Sequence, residues 1–415
     1  MIGRLPADWD LASDAHPERI VELFPGAVYE NRFGTVAVRR AGTVCEITTF
    51  RTDHDYADFR RPHHVEFGDS IELDLARRDF TVNAMAWGAR PGQNPSLLDP
   101  HGGLADAQAG LLRAVGDPDA RFQEDALRMI RAIRLAATLG FVIEPATLAG
   151  ITARAELVAH LSGERIAAEL AKLLAAPVPS VGLRLWLDTG LLAPISPELA
   201  AQRGIPQNKV PGEDLWDHTL RSVDAVPVTR STVRLAALLH DIGKVDTFAD
   251  GHFAGHDAVG AELAGRLLDR LHVAHSIRNR VVDLVRNHMF SYEPNWSNAA
   301  VRRFIARMEV LGPGALEELL ELREADNVGS GLPARAGLLD ELRARVAAEL
   351  GGGVVLDLHG LAVNGEDLMT VLGIKRGPII GRILDELLER VIVDPALNER
   401  QTLLELARES VARDR

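Results

Sequence analysis

The stretch Leu238-Leu-His-Asp-Ile-Gly-Lys244 restricts the fold more than any other, because it sets an imidazole and a carboxylate, His240 and Asp241, side by side in an apolar run that reads as the middle of a helix. Burying such a pair costs several kcal/mol unless something pairs with it, and a divalent ion does so. A lone histidine on an apolar helix is ordinarily a satisfied core residue; His-Asp together is harder to explain that way. Further donors stand in similar surroundings: His218 in Trp-Asp-His-Thr, His256 in Gly-His-Asp-Ala-Val-Gly, His288 in Arg-Asn-His-Met and Asp326 in Glu-Ala-Asp-Asn.

A second constellation lies in Arg121–Arg134, which reads as one amphipathic helix with Leu127, Ile130 and Ile133 on one side and Glu124, Asp125 and Arg128 on another. Spacings of three and four residues make the last three neighbours on a helix surface. A carboxylate that accepts beside a guanidinium that donates suits the edges of cytosine and adenine and mismatches uracil and guanine. The plain alternative is an intrahelical salt bridge worth a few tenths of a kcal/mol.

The first hundred residues carry acids at strand spacing. Asp8 and Asp10 flank Trp9, and on a strand both would point to one face, where paired carboxylates can hold a divalent metal against a triphosphate. A short helix is expected over Pro17–Phe24, followed by a hairpin of Gly34–Arg39 and Thr43–Phe50. Glu46 falls mid-strand among apolar and β-branched residues and is a candidate third acid. Asp53–Pro62 lacks periodicity and reads as a mobile loop. Between Asp74 and Met85, Arg77 and Arg78 could neutralise phosphates that Asp74 and Asp79 orient; ordinary charge pairs at a helix N-terminus are the simpler reading.

A length of 415 residues suggests two to four domains. The net charge of −13 argues against a broad nonspecific nucleic-acid coat but not against a local arginine track. With one cysteine, Cys45, an internal disulfide framework is excluded; with no signal peptide or membrane-length apolar run, a reducing cytoplasm is expected and no membrane. Residues 141–200 read as packed helices, 203–214 as a boundary rich in Gly and Pro, and 331–415 as a helical tail. In that tail Asn364-Gly-Glu-Asp and Lys375-Arg-Gly-Pro set glycines and basic residues at helix starts, where backbone N–H groups can meet RNA phosphates.

In order along the chain, Asp8-Trp-Asp10, Phe33-Gly-Thr-Val, Glu46-Ile-Thr-Thr-Phe-Arg51, Arg60-Arg-Pro62, Asp74-x-x-Arg-Arg-Asp-Phe-Thr-Val-Asn83, Asp99-Pro-x-Gly-Gly103 and Glu124-Asp-x-x-Arg128 resemble the class II CCA-adding tRNA nucleotidyltransferases and bacterial poly(A) polymerases. The later His/Asp series resembles the HD-domain phosphohydrolases. The resemblance implies an α+β protein: a small mixed, largely antiparallel, polymerase-β-like head at 1–115, a helical neck and body at 116–205, an HD domain at 206–330 and a helical tRNA-binding tail at 331–415. It further implies Mg²⁺ on Asp8 and Asp10, with Glu46 inferred as the third acid. Arg77, Arg78, Asp79 and Asn83 would contact ribose and triphosphate, while Glu124, Asp125 and Arg128 would act as an amino-acid template for CTP and ATP at the tRNA 3′ end.

In the HD part, His218, His240, Asp241 and Asp326 would hold a divalent metal of unspecified identity. His256 and His288 would support a second one, with Asp241 bridging and Lys244 near a phosphate. No protein partner is inferable. The Gly-Gly-x-x-Arg-Asp loop by which the family cradles a triphosphate does not occur here, so a weak transferase is expected of the polypeptide as written. The alternatives are a poly(A) polymerase or partial CC- or A-adding enzyme, an HD phosphohydrolase whose head is inactive, and a non-enzymatic RNA-binding protein.

Overall fold

The computed structural model describes residues 9–29, 34–40, 43–57, 61–89, 92–207, 209–332 and 336–413. Asp8 lies outside them. The chain falls into two compact units, one of residues up to Gly204 together with Arg266–Val273, the other of Ile205–Gly265 with Ala274 onward.

The first unit opens on a four-stranded mixed sheet. Strands β1 (Asp10–Ser13), β2 (Val28–Tyr29), β3 (Thr35–Arg40) and β4 (Thr43–Thr49) lie in the order β1-β4-β3-β2. β1 runs parallel to β4, and the β3–β4 pair is antiparallel. Strand alternation turns Val36 and Val38 of β3 inward, where Ile20 of the helix Pro17–Leu23 covers them. β5 (Arg51–Ala57) and β6 (Arg61–Phe67) then form an antiparallel ribbon. This corrects the loop expected over Asp53–Pro62. Its strands have no apolar face to read, since a two-stranded ribbon is held by its backbone ladder.

The helix Ile71–Ala76 starts at Ser70, whose hydroxyl accepts from the Leu73 amide at 3.3 Å. It buries Leu75 against Ala84 and Val115. A hairpin of β7 (Ala86–Gly88) and β8 (Ser96–Leu98) packs Ala86 and Leu98 on the same cluster. Asp99 then caps the helix Gly103–Ala109, accepting from the Gly103 and Leu104 amides at 2.7 and 2.9 Å. A Cβ on Gly103 would collide with the Thr81 carbonyl oxygen, so the Asp99-Pro-x-Gly-Gly motif is architectural. Behind the head, helices Pro118–Glu124, Leu127–Leu139, Pro145–Arg154, Gly163–Leu174 and Pro179–Asp188 enclose Phe122, Met129, Ile130, Ile133, Leu173 and Trp186.

The second unit is helical. Leu215–Ala225, opened by a reciprocal Asp214/Asp217 capping box, packs along Ala315–Gly329 with Gly329 pressed on Ser222. Ser231–Leu239 and His275–Asn287 complete the core around it. The C-terminal helices Gly365–Leu372, Pro378–Val393 and Arg400–Arg413 share a cluster of Leu368, Ile383, Leu387, Val391 and Leu403. No helix among the described residues is long and apolar enough to cross a membrane.

Candidate functional sites: an arginine-lined cavity and a histidine cluster

In the first unit a cavity of about 1580 Å³ is lined by Asp10 from β1, by Arg77, Arg78, Asp79 and Asn83 from the segment after Ile71–Ala76, and by Asp125, Arg128, Arg131 and Arg165 from the helices. Asp10 is exposed and is the Cα partner of Glu46, so the two carboxylates share one face of the sheet. Glu46 is exposed too. The cost of burial that singled it out therefore does not arise, and it lies outside the cavity lining.

The arginines are held ready. Buried Asp74 accepts Arg77 at 2.6 Å and Arg78 at 3.4 Å. Asp79 takes Asn83 Nδ2 at 3.0 Å on Oδ1 and Arg131 Nε at 2.8 Å on Oδ2. Burial alone would raise the Asp79 pKa; the Arg131 charge and the hydrogen bonds from Asn83 and Arg131 outweigh it and hold the carboxyl below its ordinary value.

Arg121–Arg134 is not one helix. Asp125 is extended at φ −147° and ψ 106°, separating Pro118–Glu124 from Leu127–Leu139. The reason is the capping habit of aspartate: its Oδ1 accepts from the Leu127 amide at 3.0 Å. Asp125 therefore does not meet Arg128 by helical spacing. Its Oδ2 instead receives Arg165 at 2.7 Å. Arg128 is anchored by Glu124 at 2.7 Å and donates to the Arg77 carbonyl at 3.2 Å. Asp125 and Arg128 line the cavity, while Glu124 stands behind them, paired with Arg128 and Arg121. Sequence reading missed Arg131 and Arg165 as members of this site.

The second unit gathers all six expected donors. His218, His240, Asp241, His256, His288 and Asp326 are buried together. His240 and Asp241 follow the end of Ser231–Leu239 in a tight turn, with Ile242 N bonded to Leu239 O and Lys244 N to Asp241 O, so the mid-helix expectation is corrected. Ile242 resumes the apolar pattern just past the helix end, which hides the turn. Gly243 has a steric role: a Cβ there would strike the His256 carbonyl and the Gly260 backbone.

Asp241 divides its oxygens. Oδ2 lies 3.1 and 3.2 Å from Nε2 of His218 and His240, and Oδ1 lies 3.3 and 3.7 Å from Nε2 of His256 and His288. Asp326 Oδ1 is 3.4 Å from His218 Nε2. Nδ1 of His240, His256 and His288 each donates to a backbone carbonyl, at 2.8, 2.8 and 2.6 Å. A neutral ring bonded in this way turns a bare lone pair on Nε2 toward the cluster. His256 and His288 thus face each other, lone pair to lone pair, at 3.3 Å. Burial, the largest influence on His288, keeps it below its ordinary pKa despite Asp241, and so neutral. Burial works against the Asp241 anion; Lys244 is among the groups that nonetheless hold its pKa well below the ordinary value. A divalent cation between such donors removes the repulsion, so the residues fit one. Lys244 Nζ is 2.6 Å from Asp241 Oδ2, and Arg323 Nη1 is 2.8 Å from Asp326.

Comparison with known proteins follows these divisions. Residues 1–113 match the Poly A polymerase head domain, 140–203 the family described as "Probable RNA and SrmB- binding site of polymerase A", and 212–329 the HD domain. Fold and site together define a nucleotidyltransferase head joined to a helical HD domain. The CCA-adding enzyme of Geobacillus kaustophilus is 34% identical over 407 residues, covering 97% of this chain and 88% of that protein. That of Lactiplantibacillus plantarum is 32% identical over 409 residues, covering 98% and 89%. The crystal structure of the Bacillus stearothermophilus CCA-adding enzyme in complex with CTP superposes with a TM-score of 0.73 at 28% identity, covering all of this chain and 91% of that one. The fold is shared also with the Thermotoga maritima CCA-adding enzyme complexed with tRNA, at 20% identity and a TM-score of 0.58 over 99% and 88% of the two chains. The chain belongs to the CCA-adding enzyme family of nucleotidyltransferases.

Proposed function

We propose that this chain adds C, C and A in turn to the 3′ end of tRNA from CTP and ATP, with Asp125 and Arg128 selecting the base. The observation that carries this reading is one cavity that holds a base-edge donor and acceptor, a cluster of arginines and Asp10. Asp125 accepts from the exocyclic amino group of cytosine or adenine, and Arg128 donates to the adjoining ring nitrogen. Glu124 is a positioning residue that holds the Arg128 guanidinium. Arg77 and Arg78 neutralise the triphosphate, while Asp79 and Asn83 meet the ribose and, through Arg131, brace the arginine layer. Asp8 and Asp10, with Glu46 as third acid, would hold Mg²⁺, which would supply neutralisation of the triphosphate and of the attacking 3′ oxygen. In a nucleotide competition assay, the wild type incorporates C and A and excludes U and G; Arg128→Ala loses that discrimination. Unchanged discrimination in Arg128→Ala would contradict the selector.

A second activity is favoured by the facing Nε2 atoms of the histidine cluster. His218, His240, Asp241 and Asp326 would hold one divalent ion and His256 and His288 another, with Asp241 shared; such a metal would supply an activated water for phosphate-ester hydrolysis. Lys244 neutralises the phosphate of the substrate. Titration of the apoprotein with Mn²⁺, followed by calorimetry, should show binding that Asp241→Ala removes. Equal binding by that variant would rule the site out.

A further inference from the structure

The cavity in the first unit is larger than one nucleotide needs, since pockets for compact ligands run to roughly 300–1,000 Å³ against about 1580 Å³ here. One side of it is chemically unlike the rest. The β7–β8 hairpin lines it from Ala86 to Leu98 and, among the described residues, contributes Trp87, Gln93 and Asn94 but no charged side chain, where the remaining lining is rich in arginine and aspartate. Trp87 is 70% exposed, as is Trp9 at 71% next to Asp10 in the charged part of the same lining, whereas Trp186 and Trp216 are each 1% exposed. Its exposure follows from register. Ala86 and Leu98 take the core face of the hairpin, and Trp87, the Cα partner of Leu97, stands on the other. The fold does not use this ring for its core.

We propose that Trp87 is a stacking platform for the 3′-terminal base of the RNA, the nucleotide whose hydroxyl attacks. An exposed indole suits the face of any base, and a neutral surface suits a base or ribose rather than a triphosphate. The incoming nucleotide already has its edge read by Asp125 and Arg128 and its phosphates met by arginines. The attacking hydroxyl must reach Asp10, which lines the same cavity, so the base it carries falls within that space. Trp87 acts on substrate position and not on the bond-making step. The inference rests on the proposed reading that the RNA terminus reacts here.

The test uses the full chain and a tRNA lacking its CCA end, prepared with and without a base on its 3′-terminal nucleotide, and reads the RNA dissociation constant by fluorescence anisotropy without nucleotide. Trp87→Ala should weaken binding of the intact RNA by roughly 5- to 50-fold, and Trp87→Phe should recover most of it. The abasic RNA should bind wild type and Trp87→Ala alike, and KM for CTP should change less than about twofold, against a stacking effect of many fold. Equal RNA affinity in wild type and Trp87→Ala, or a loss that persists on abasic RNA, would overturn the proposal. Incorporation of C by the wild type is measured on the same intact RNA: its absence would count against the transferase reading, while the binding comparison decides the stacking.

Discussion

At the scale of single residues, the proposed selector depends on a guanidinium that the motif itself does not contain. Arg165 engages Asp125 Oδ2 at 2.7 Å, and the Leu127 amide engages Oδ1, so Asp125 is held from both sides. Removing Arg165 should free the carboxylate to rotate. Arg165→Ala is expected to lower kcat/KM for CTP and ATP by roughly tenfold, as loss of one charge-assisted hydrogen bond implies, with little change in RNA affinity; steady-state kinetics on both substrates checks it. Asp79 gives a pH prediction. Its carboxyl is held below the ordinary aspartate value of 3.8, so its stabilising contribution is complete above that value and is lost as pH falls through the lower folded value. The stability difference between wild type and Asp79→Asn, measured by urea unfolding, should be constant from about pH 5 upward and shrink below about 4. A difference that stays flat through that window would contradict the ion-pair account.

At the scale of elements, glycines decide which segments can approach. Gly243→Ala places a methyl against the His256 carbonyl and the Gly260 backbone, where no flexible side chain can give way. Overpacking of this kind costs about 1–3 kcal/mol. The variant should unfold at lower denaturant and bind Mn²⁺ more weakly, since His256 is displaced, while nucleotide addition is retained; an unchanged Mn²⁺ affinity would show that the approach is not needed. Elements were legible in the sequence where side chains carry a period or a cap. The β3–β4 hairpin and the helix Pro17–Leu23 are legible from alternation and from Pro17 at the helix start. The β5–β6 ribbon had no apolar face to signal it. The break at Asp125 was hidden because the apolar spacing runs on through it, although an aspartate before a hydrophobic run is a capping signal.

At the scale of the whole molecule, the site residues separate into those visible from local sequence and those visible only in three dimensions. The six donors of the histidine cluster were recognisable because acids and imidazoles among apolar residues need a reason to be buried. Arg131, Arg165 and Trp87 carry no such mark: an arginine pairing with a distant acid, or a tryptophan facing out of a short hairpin, is ordinary until the fold is known. Ion binding should also report on the second unit as a whole. Mn²⁺ at about 100 times its Kd should stabilise the chain by about 2.7 kcal/mol per site, a shift absent in Asp241→Ala and followed by thermal unfolding.

The central claim is that the head transfers nucleotides to RNA through Asp10 and the Asp125/Arg128 selector. The most direct measurement is incubation of the 415-residue chain with tRNA lacking its CCA end, Mg²⁺ and each labelled nucleotide separately and in mixture. The account predicts addition of C and then A, no addition of U or G, loss of addition in Asp10→Ala, loss of base discrimination in Arg128→Ala, and full addition in Asp241→Ala. No addition by the wild type, alongside metal-dependent phosphate release that Asp241→Ala abolishes, would contradict it and leave the histidine cluster as the active centre.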